Sequence, residues 1–284
     1  MDVRELPPAP VPLPVSVVDA HTHLDACGAT NPAGVHAALD RAAAVGVSAV
    51  VTVADDMTAA RWVVQAASWD DRVFAAVALH PTRTAIMTGA DRAELERLAA
   101  ASRVVAVGET GLDYYWPQVD PRCSPPQAQQ DAYRWHIDLA KRLGKPLMIH
   151  DRDAHRDVLA ILEQEGAPPT VVFHCFSGDA AMARTCVEAG YVLSFSGTVT
   201  FRNARALREA AALVPDGQLL VETDAPFLTP HPHRGKANEP VNLPYTVRDL
   251  AALRGQDVAD LAASSSATAE RVFGIGPTDT AGRF

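Results

Sequence analysis

Short apolar runs rich in β-branched residues alternate with stretches of helical periodicity along nearly the whole chain, and this alternation restricts the fold more than any other feature. The first run is Val15-Ser-Val-Val-Asp19-Ala-His21-Thr-His23-Leu-Asp25. The others are Ser48–Val53, Val73–Ala78, Val104–Val107, Pro146–His150, Thr170–His174, Tyr191–Phe195 and Gln218–Glu222. Between them lie helical segments at Val35–Val45, opened by Asn31-Pro32 and stopped by Gly46, then Thr58–Ser68, Asp91–Ala101, Gln127–Leu143, Asp153–Gln164, Asp179–Ala189 and Asn203–Leu213. Leu243–Leu253 and Val258–Phe273 add two late helices. Strands that are apolar along their length and joined by helices belong to a parallel sheet covered on both faces. Eight such units predict α/β architecture closed as a (β/α)8 TIM barrel. An open doubly wound sheet is the rival, but no Gly-x-Gly-x-x-Gly follows the first strand to support its dinucleotide-binding form.

At 284 residues, 48% of them hydrophobic, the chain can fill a barrel of this size. No shift in composition marks a linker, so a single domain is expected over 15–275, with a stiff proline-rich extension over 1–14 and a short tail over 276–284. No apolar run approaches the roughly 20 residues of a membrane span, and the start lacks the basic and apolar parts of a secretory signal. A soluble protein with no membrane partner follows. Cys27, Cys123, Cys175 and Cys186 are scattered without a Cys-x-x-Cys pair, which points to reduced thiols in the cytoplasm. Cys175 adjoins His174, yet neighbours on a strand face opposite ways, so it reads as a core thiol. The net charge of −9 argues against a broad basic surface for long duplex nucleic acid and leaves room for a local basic pocket.

The last residues of the strands carry the chemistry. Alternation puts Asp19, His21 and His23 on one face of the first strand. His80 follows the third, Glu109 the fourth, His150 ends the fifth, His174 the sixth, and Glu222 with Asp224 the eighth. In a closed barrel these ends gather on one rim, where sites of this architecture lie. Imidazoles and carboxylates converging there suit divalent metal, and Glu222 and Asp224, two apart, would repel without a cation or a shared proton. His80 precedes Pro81 and reads as a contact to substrate or water, or as a turn cap. Glu109 lies in Gly108-Glu-Thr-Gly-Leu-Asp113, where it either caps a turn or binds metal; a buried unpaired charge would be costly.

These stretches resemble the TatD-type metal-dependent hydrolases (TatD DNases) of the amidohydrolase superfamily. The matching motifs are Asp19-Ala-His-Thr-His-Leu-Asp25, Leu79-His-Pro81, Gly108-Glu-Thr-Gly-Leu-Asp-Tyr-Tyr115, Ile149-His-Asp-Arg-Asp-Ala154, His174-Cys-Phe-Ser-Gly178, Glu222-Thr-Asp-Ala-Pro-Phe-Leu-Thr-Pro230 and Arg234-Gly-Lys-Ala-Asn-Glu-Pro240, spread from Val15 to Phe273. The resemblance implies one metal on His21, His23, Glu109 and Asp224 and a second on Glu109, His150 and His174, with Glu109 bridging. One departure is visible: Thr268 stands where the family usually has asparagine.

The resemblance further implies a deoxyribonuclease with 3′-to-5′ exonuclease character, acting on single-stranded or frayed nucleic-acid ends, with no obligatory protein partner evident. Two divalent cations would activate the attacking water; imidazole-rich ligation suits Zn, Mn, Fe or Ni better than Mg. Asp224 is the expected base, supported by Glu222. Arg152, Arg234 and Lys236 are candidate phosphate partners, and Tyr114, Tyr115 and Trp116 a candidate stacking face, with a plain hydrophobic wall as the other reading. The alternatives are hydrolysis of a small ester, lactone or amide, and a non-catalytic barrel that binds nucleic acid or a partner.

Overall fold

The computed structural model describes residues 5–275; the expected tail over 276–284 and the first four residues of the expected extension lie outside the described residues. Eight strands, β1 (Val17–Thr22), β2 (Val47–Val53), β3 (Val73–Ala76), β4 (Val104–Asp113), β5 (Leu147–Arg152), β6 (Val171–Phe173), β7 (Val192–Phe195) and β8 (Leu219–Val221), form one sheet in sequence order. Every neighbouring pair is parallel. The ring closes where Thr22 bridges Ala225, where the Asp224 amide donates to His21 O at 2.9 Å and the His23 amide to Ala225 O at 2.7 Å. The expected (β/α)8 barrel is therefore present.

The helices are α1 (Pro32–Ala43), α2 (Met57–Ala66), α3 (Gly89–Ala99), α4 (Trp116–Val119), α5 (Pro126–Leu143), α6 (His155–Glu165), α7 (Ala180–Glu188), α8 (Arg205–Leu213), α9 (Leu243–Arg254) and α10 (Val258–Phe273). Local chemistry sets their ends. Asn31, Asp56, Asp179 and Asp257 accept first-turn amides of α1, α2, α7 and α10, and Thr88 with Asp91 forms a reciprocal cap on α3. Gly144 stops α5 in the left-handed region, which a residue without Cβ adopts freely.

Strand alternation divides the core in two. One set, including Val17, Val47, Val50, Val73 and Leu147, packs outward under the helices. The other, Val18, Val51, Val105, Met148, Val172, Val192 and Leu220, fills the barrel interior and packs with Ala269, Val272 and Phe273 of α10. The last helix thus caps the interior at the strands' N-terminal end. At that end cations tie off loose carbonyls: Lys145 Nζ donates to Ala99 O, Ala101 O and Val104 O, Arg103 to Asp71 O and Val73 O, and Arg254 to Ala211 O and Val214 O. Thr268 sits here too, its hydroxyl shared between Asp216 O (3.0 Å) and Ser264 O (2.9 Å), on the far side of the barrel from the strand exits.

The main departure from the sequence reading is β4, which runs on through Gly108-Glu-Thr-Gly to Asp113 where a turn was one alternative. The glycines serve close approach to β5: a Cβ on Gly108 would lie 2.5 Å from Met148 Cβ, and one on Gly111 2.1 Å from His150 O. Residues 5–14 lie against α9 as a strip of acceptors. Tyr245 donates its hydroxyl to Pro8 O (2.9 Å), Arg248 donates to Val11 O (2.7 Å) and Pro12 O (3.0 Å), and the Ala237 amide donates to Glu5 O (3.2 Å). The prolines of that strip have no amide proton to offer, and between two of them the Leu13 amide donates to Val45 O (3.0 Å). No helix among the described residues is long and apolar enough to cross a membrane.

Candidate metal centre

β1, β4 and β5 and the segments that follow β3, β6 and β8 deliver polar groups to a shared, buried volume at the barrel mouth. His21 is fully buried on β1, and Glu109 is carried inward by the extended β4. Asp224 follows β8 at a φ of 51°. That left-handed conformation, uncommon for residues with a Cβ but tolerated by aspartate, accompanies the reversal that leaves its carboxylate beside β1. Cys175 after β6 and Asp153 after β5 also have positive φ, so departures from the ordinary backbone cluster at the mouth.

Hydrogen bonds fix the tautomers. His23 Nδ1 lies 2.9 Å from Val53 O, which can only accept, so the ring proton sits on Nδ1 and Nε2 presents a lone pair. His21 Nδ1 faces the Met148 sulfur at 3.2 Å, leaving its Nε2 bare as well. The two bare nitrogens are 3.2 Å apart. Around them stand Glu109 Oε1, 3.8 Å from His21 and 3.5 Å from His23, and Asp224 Oδ1 at 3.5 Å and 3.7 Å. Four acceptors facing one another with no donor among them require a cation, and this donor set fits a divalent metal.

A second group adjoins it. His150 Nε2 pairs with Asp113 Oδ2 at 3.0 Å and His174 Nδ1 with Glu222 Oε1 at 3.3 Å. Those carboxylates hold the protons outward and leave His150 Nδ1 and His174 Nε2, 3.3 Å apart, turned toward Glu109 Oε2 at 3.3 Å and 2.8 Å. Glu109 thus offers one oxygen to each group. Side chains that could hold metal fall into overlapping sets: His21, His23 and Glu109; His21, His174 and Asp224; and His80, Glu109 and His150. His80 differs in tautomer. The Thr82 amide donates to its Nδ1 at 3.2 Å, which puts its proton on Nε2, the nitrogen 3.3 Å from His150 Nδ1.

The electrostatics of the cluster follow from burial and from the charges packed into it. Burial and then the His174 field push His21 well below the ordinary histidine value. Burial works against the charged form of His23 as well, yet Asp224 and Glu109 hold it up at about 9. His174 is raised well above the ordinary value against its burial by Glu109 and Glu222, and Glu109 is held low by His174 and His80 despite its own burial. A divalent cation would displace these protons, since imidazole ligates in its neutral form. Glu222 is raised chiefly by burial; its Oε1 accepts the Cys175 amide at 2.8 Å and its Oε2 has no partner. Asp19 lies deeper. Burial pushes its pKa up to about 8 although Thr223 donates both its amide (2.9 Å) and its hydroxyl (2.6 Å), so this carboxyl clamps β1 to β8.

His21, His23, Glu109, His150, His174 and Asp224 therefore converge, with His80 at their edge. Arg152 stacks over Tyr115, 4.0 Å from the ring centre, and over Trp116 at 5.6 Å. Arg234 stacks over Phe201 at 4.1 Å beside an open cleft of about 320 Å³. Tyr114 gives its hydroxyl to Asp157 (2.8 Å) and receives Gln130 (2.7 Å), and the Lys236 ammonium is 3.8 Å from Glu5. Asp113, which orients His150, escaped the sequence reading; its signal was the last letter of the Gly108–Asp113 motif, two residues beyond a glycine that looked like a turn.

Donor groups arranged like this at the mouth of a closed barrel hold divalent cations for hydrolysis, so the protein is a metal-dependent hydrolase of amidohydrolase architecture. Sequence comparison narrows the class. Residues 18–274 match the family described as TatD related DNase, and the chain belongs to the TatD-related metal-dependent hydrolases. It is 64% identical over 260 residues to the metal-dependent hydrolase TatD of Mycobacterium tuberculosis H37Rv, covering 92% of this chain and 98% of that one. It is 34% identical over 241 residues to the 3′-5′ ssDNA/RNA exonuclease TatD of Citrobacter rodentium, covering 83% and 90%. Among solved structures it is similar to YJJV, a TatD homologue from Escherichia coli K12, with a TM-score of 0.82 at 29% identity, covering 92% of this chain and 98% of that one.

Proposed function

We propose that this chain hydrolyses phosphodiesters at the end of single-stranded nucleic acid with 3′-to-5′ polarity. The observation that carries this reading is the sharing of Glu109: its two oxygens face two adjacent groups of bare imidazole nitrogens. The ligands would be His21, His23, Glu109 and Asp224 for one cation and Glu109, His150 and His174 for the other. When bound, the pair of divalent cations supplies Lewis acidity at a phosphoryl oxygen and makes water acidic enough to react near neutral pH. Similarity to the Citrobacter exonuclease supports the choice of a nucleic-acid substrate.

The residues then divide the work. Asp224 accepts the proton of the attacking water as its oxygen adds to phosphorus, and returns that proton to the ester oxygen, which leaves as an alcohol when its bond to phosphorus breaks. Asp113 and Glu222 hold the rings of His150 and His174 in the required tautomer. His80, with its proton on Nε2, donates to a phosphate oxygen. Arg152 meets the next phosphate, and Tyr115 and Trp116 offer base-stacking faces. Arg234 and Lys236 supply positive charge on the other side.

The test is to strip metal with a chelator, restore it, and assay end-labelled single-stranded DNA alongside panels of lactones and amides. Stepwise shortening from the 3′ end that vanishes on stripping and returns on reloading is the expected result. Turnover of the lactone or amide panel alone would end the nuclease reading.

A further inference from the structure

Among the described residues the exposed aromatic side chains are Tyr115, Trp116 and Phe227, at 37%, 40% and 56% exposure. All three stand just beyond a strand's C-terminal end: Tyr115 and Trp116 after β4, Phe227 after β8. In an eight-stranded ring β4 and β8 are diametrically opposed, so the exposed rings flank the metal centre from two sides. Each side also carries an arginine stacked on an aromatic face, Arg152 over Tyr115 and Arg234 over Phe201, and neither arginine pairs with a carboxylate among the described residues. Arg92 over Trp135 and Arg103 over Phe74 are stacked likewise elsewhere, but at the mouth the arginines stand beside exposed rings and the metal centre, which suits an anion with flat, apolar appendages.

The two sides differ in form. Phe227 packs edge-on to His23, ring centres 5.9 Å apart, which ties its cleft directly to the metal centre. That cleft, about 320 Å³, is walled by Phe201, Pro226, Phe227, Leu228, Thr229 and Arg234. Its frame is rigid. Asn238 donates to Phe227 O (2.6 Å) and Thr223 O (3.0 Å), the His231 amide donates to Thr200 Oγ1 (2.7 Å), and a Cβ on Gly197 would lie 2.0 Å from Leu228 O. The volume is at the lower end of the roughly 300–1,000 Å³ typical of small-molecule sites. It suits one nucleoside. The Tyr115–Trp116 side, with ring centres 5.4 Å apart, is a shelf on the four-residue helix α4, along which a strand can continue.

Resting on the nuclease reading above, we propose that the Phe201–Phe227 cleft is the subsite of the terminal nucleoside, its base stacked on Phe227 and its 5′-phosphate, the scissile one, reaching the metal centre past His23 with Arg234 flanking the cleft, while the Tyr115–Trp116 shelf holds the strand that remains. A cleft of that size takes one nucleoside at a time, so each cut at the adjoining metal centre releases one nucleotide.

Binding by metal-loaded protein tests this directly, with thymidine 5′-monophosphate and a thymidine pentanucleotide with hydrolysis-resistant phosphorothioate linkages as probes, followed by calorimetry. Phe227→Ala is expected to weaken monophosphate binding about 5- to 100-fold, the loss of one base stack. Phe227→Tyr keeps a ring and restores it. Trp116→Ala is expected to weaken the pentanucleotide more than the monophosphate. Wild-type protein that binds no monophosphate, or a Phe227→Ala variant that binds it as wild type does, overturns the proposal. Failure of the nuclease reading looks different: the loaded enzyme shortens no oligonucleotide, while the effect of Phe227→Ala on monophosphate binding still decides the cleft.

Discussion

At the N-terminal end of the barrel, Lys145 spends its ammonium on three carbonyl oxygens and Arg254 ties two more to Asp216, so acceptors there meet donors. At the C-terminal mouth, His21 and His23 turn bare nitrogens toward each other and toward Glu109 and Asp224, and acceptors meet acceptors. Both ends gather polar groups from the strands and the segments that flank them. The difference teaches how to tell stability from function in such a barrel: a satisfied polar group holds the fold, and a set that only a cation can satisfy is kept for chemistry.

The strongest way to break the comparison is Glu109→Gln, which leaves size unchanged and removes the shared charge. Hydrolysis is expected to fall on the order of 10³-fold or more, with less metal bound per chain by elemental analysis. A variant that kept both its metal and its rate would show that Glu109 is not shared.

Next comes a buried imidazole that follows the satisfied pattern although it lies near the mouth. His136 gives its Nδ1 proton to Ala132 O (2.8 Å) and accepts the Leu79 amide on Nε2 (3.4 Å), and burial holds its pKa down at about 4. The unfolded chain takes up that proton near the ordinary 6.5, the folded chain only near 4. Its stabilising contribution is therefore full above 6.5 and fades as pH falls through the window, by up to roughly 3 kcal/mol. Denaturant melts of wild type and His136→Gln across that range should show a flatter slope in the variant.

Asp113→Asn sharpens the comparison at the mouth itself. Weakening the partner of His150 Nε2 is expected to cost about 10- to 100-fold in metal affinity or rate, with unchanged circular dichroism. Loss of the fold in place of the metal would move Asp113 to the structural side. The smallest effect belongs to the base, where Lys145→Met orphans three carbonyls and should lower stability by about 1–2 kcal/mol. Its turnover per metal-loaded molecule should match wild type.

Much of this was legible in the sequence because a parallel strand is apolar along its length, so a histidine or carboxylate closing such a run stands out. His150 and His174 are visible in that way, and so is the barrel. The course of β4 was not, since Gly108 and Gly111 look like turn residues until β5 is seen pressed against them. Asp113 went with it. The tautomers of His23 and His80 depend on Val53 O and the Thr82 amide, contacts that no periodicity encodes. Tyr114 and Tyr115 are adjacent letters, yet one faces Asp157 and Gln130 and the other Arg152, a choice made by packing around α4 and α5.

The seam where Asp19 grips Thr223 has a consequence for the order of events on the ribosome. His21 and His23 emerge early but wait for Asp224, so that half of the centre cannot be completed until the last strand has been made and docked. Glu109 and His150 are encoded earlier, with Asp113 to orient the imidazole, while His174 too waits for Glu222 beyond β8. A nascent chain that stops short of β8 would lack Asp224, the proton acceptor proposed above, so hydrolysis would begin only once Asp19 and Thr223 had been joined.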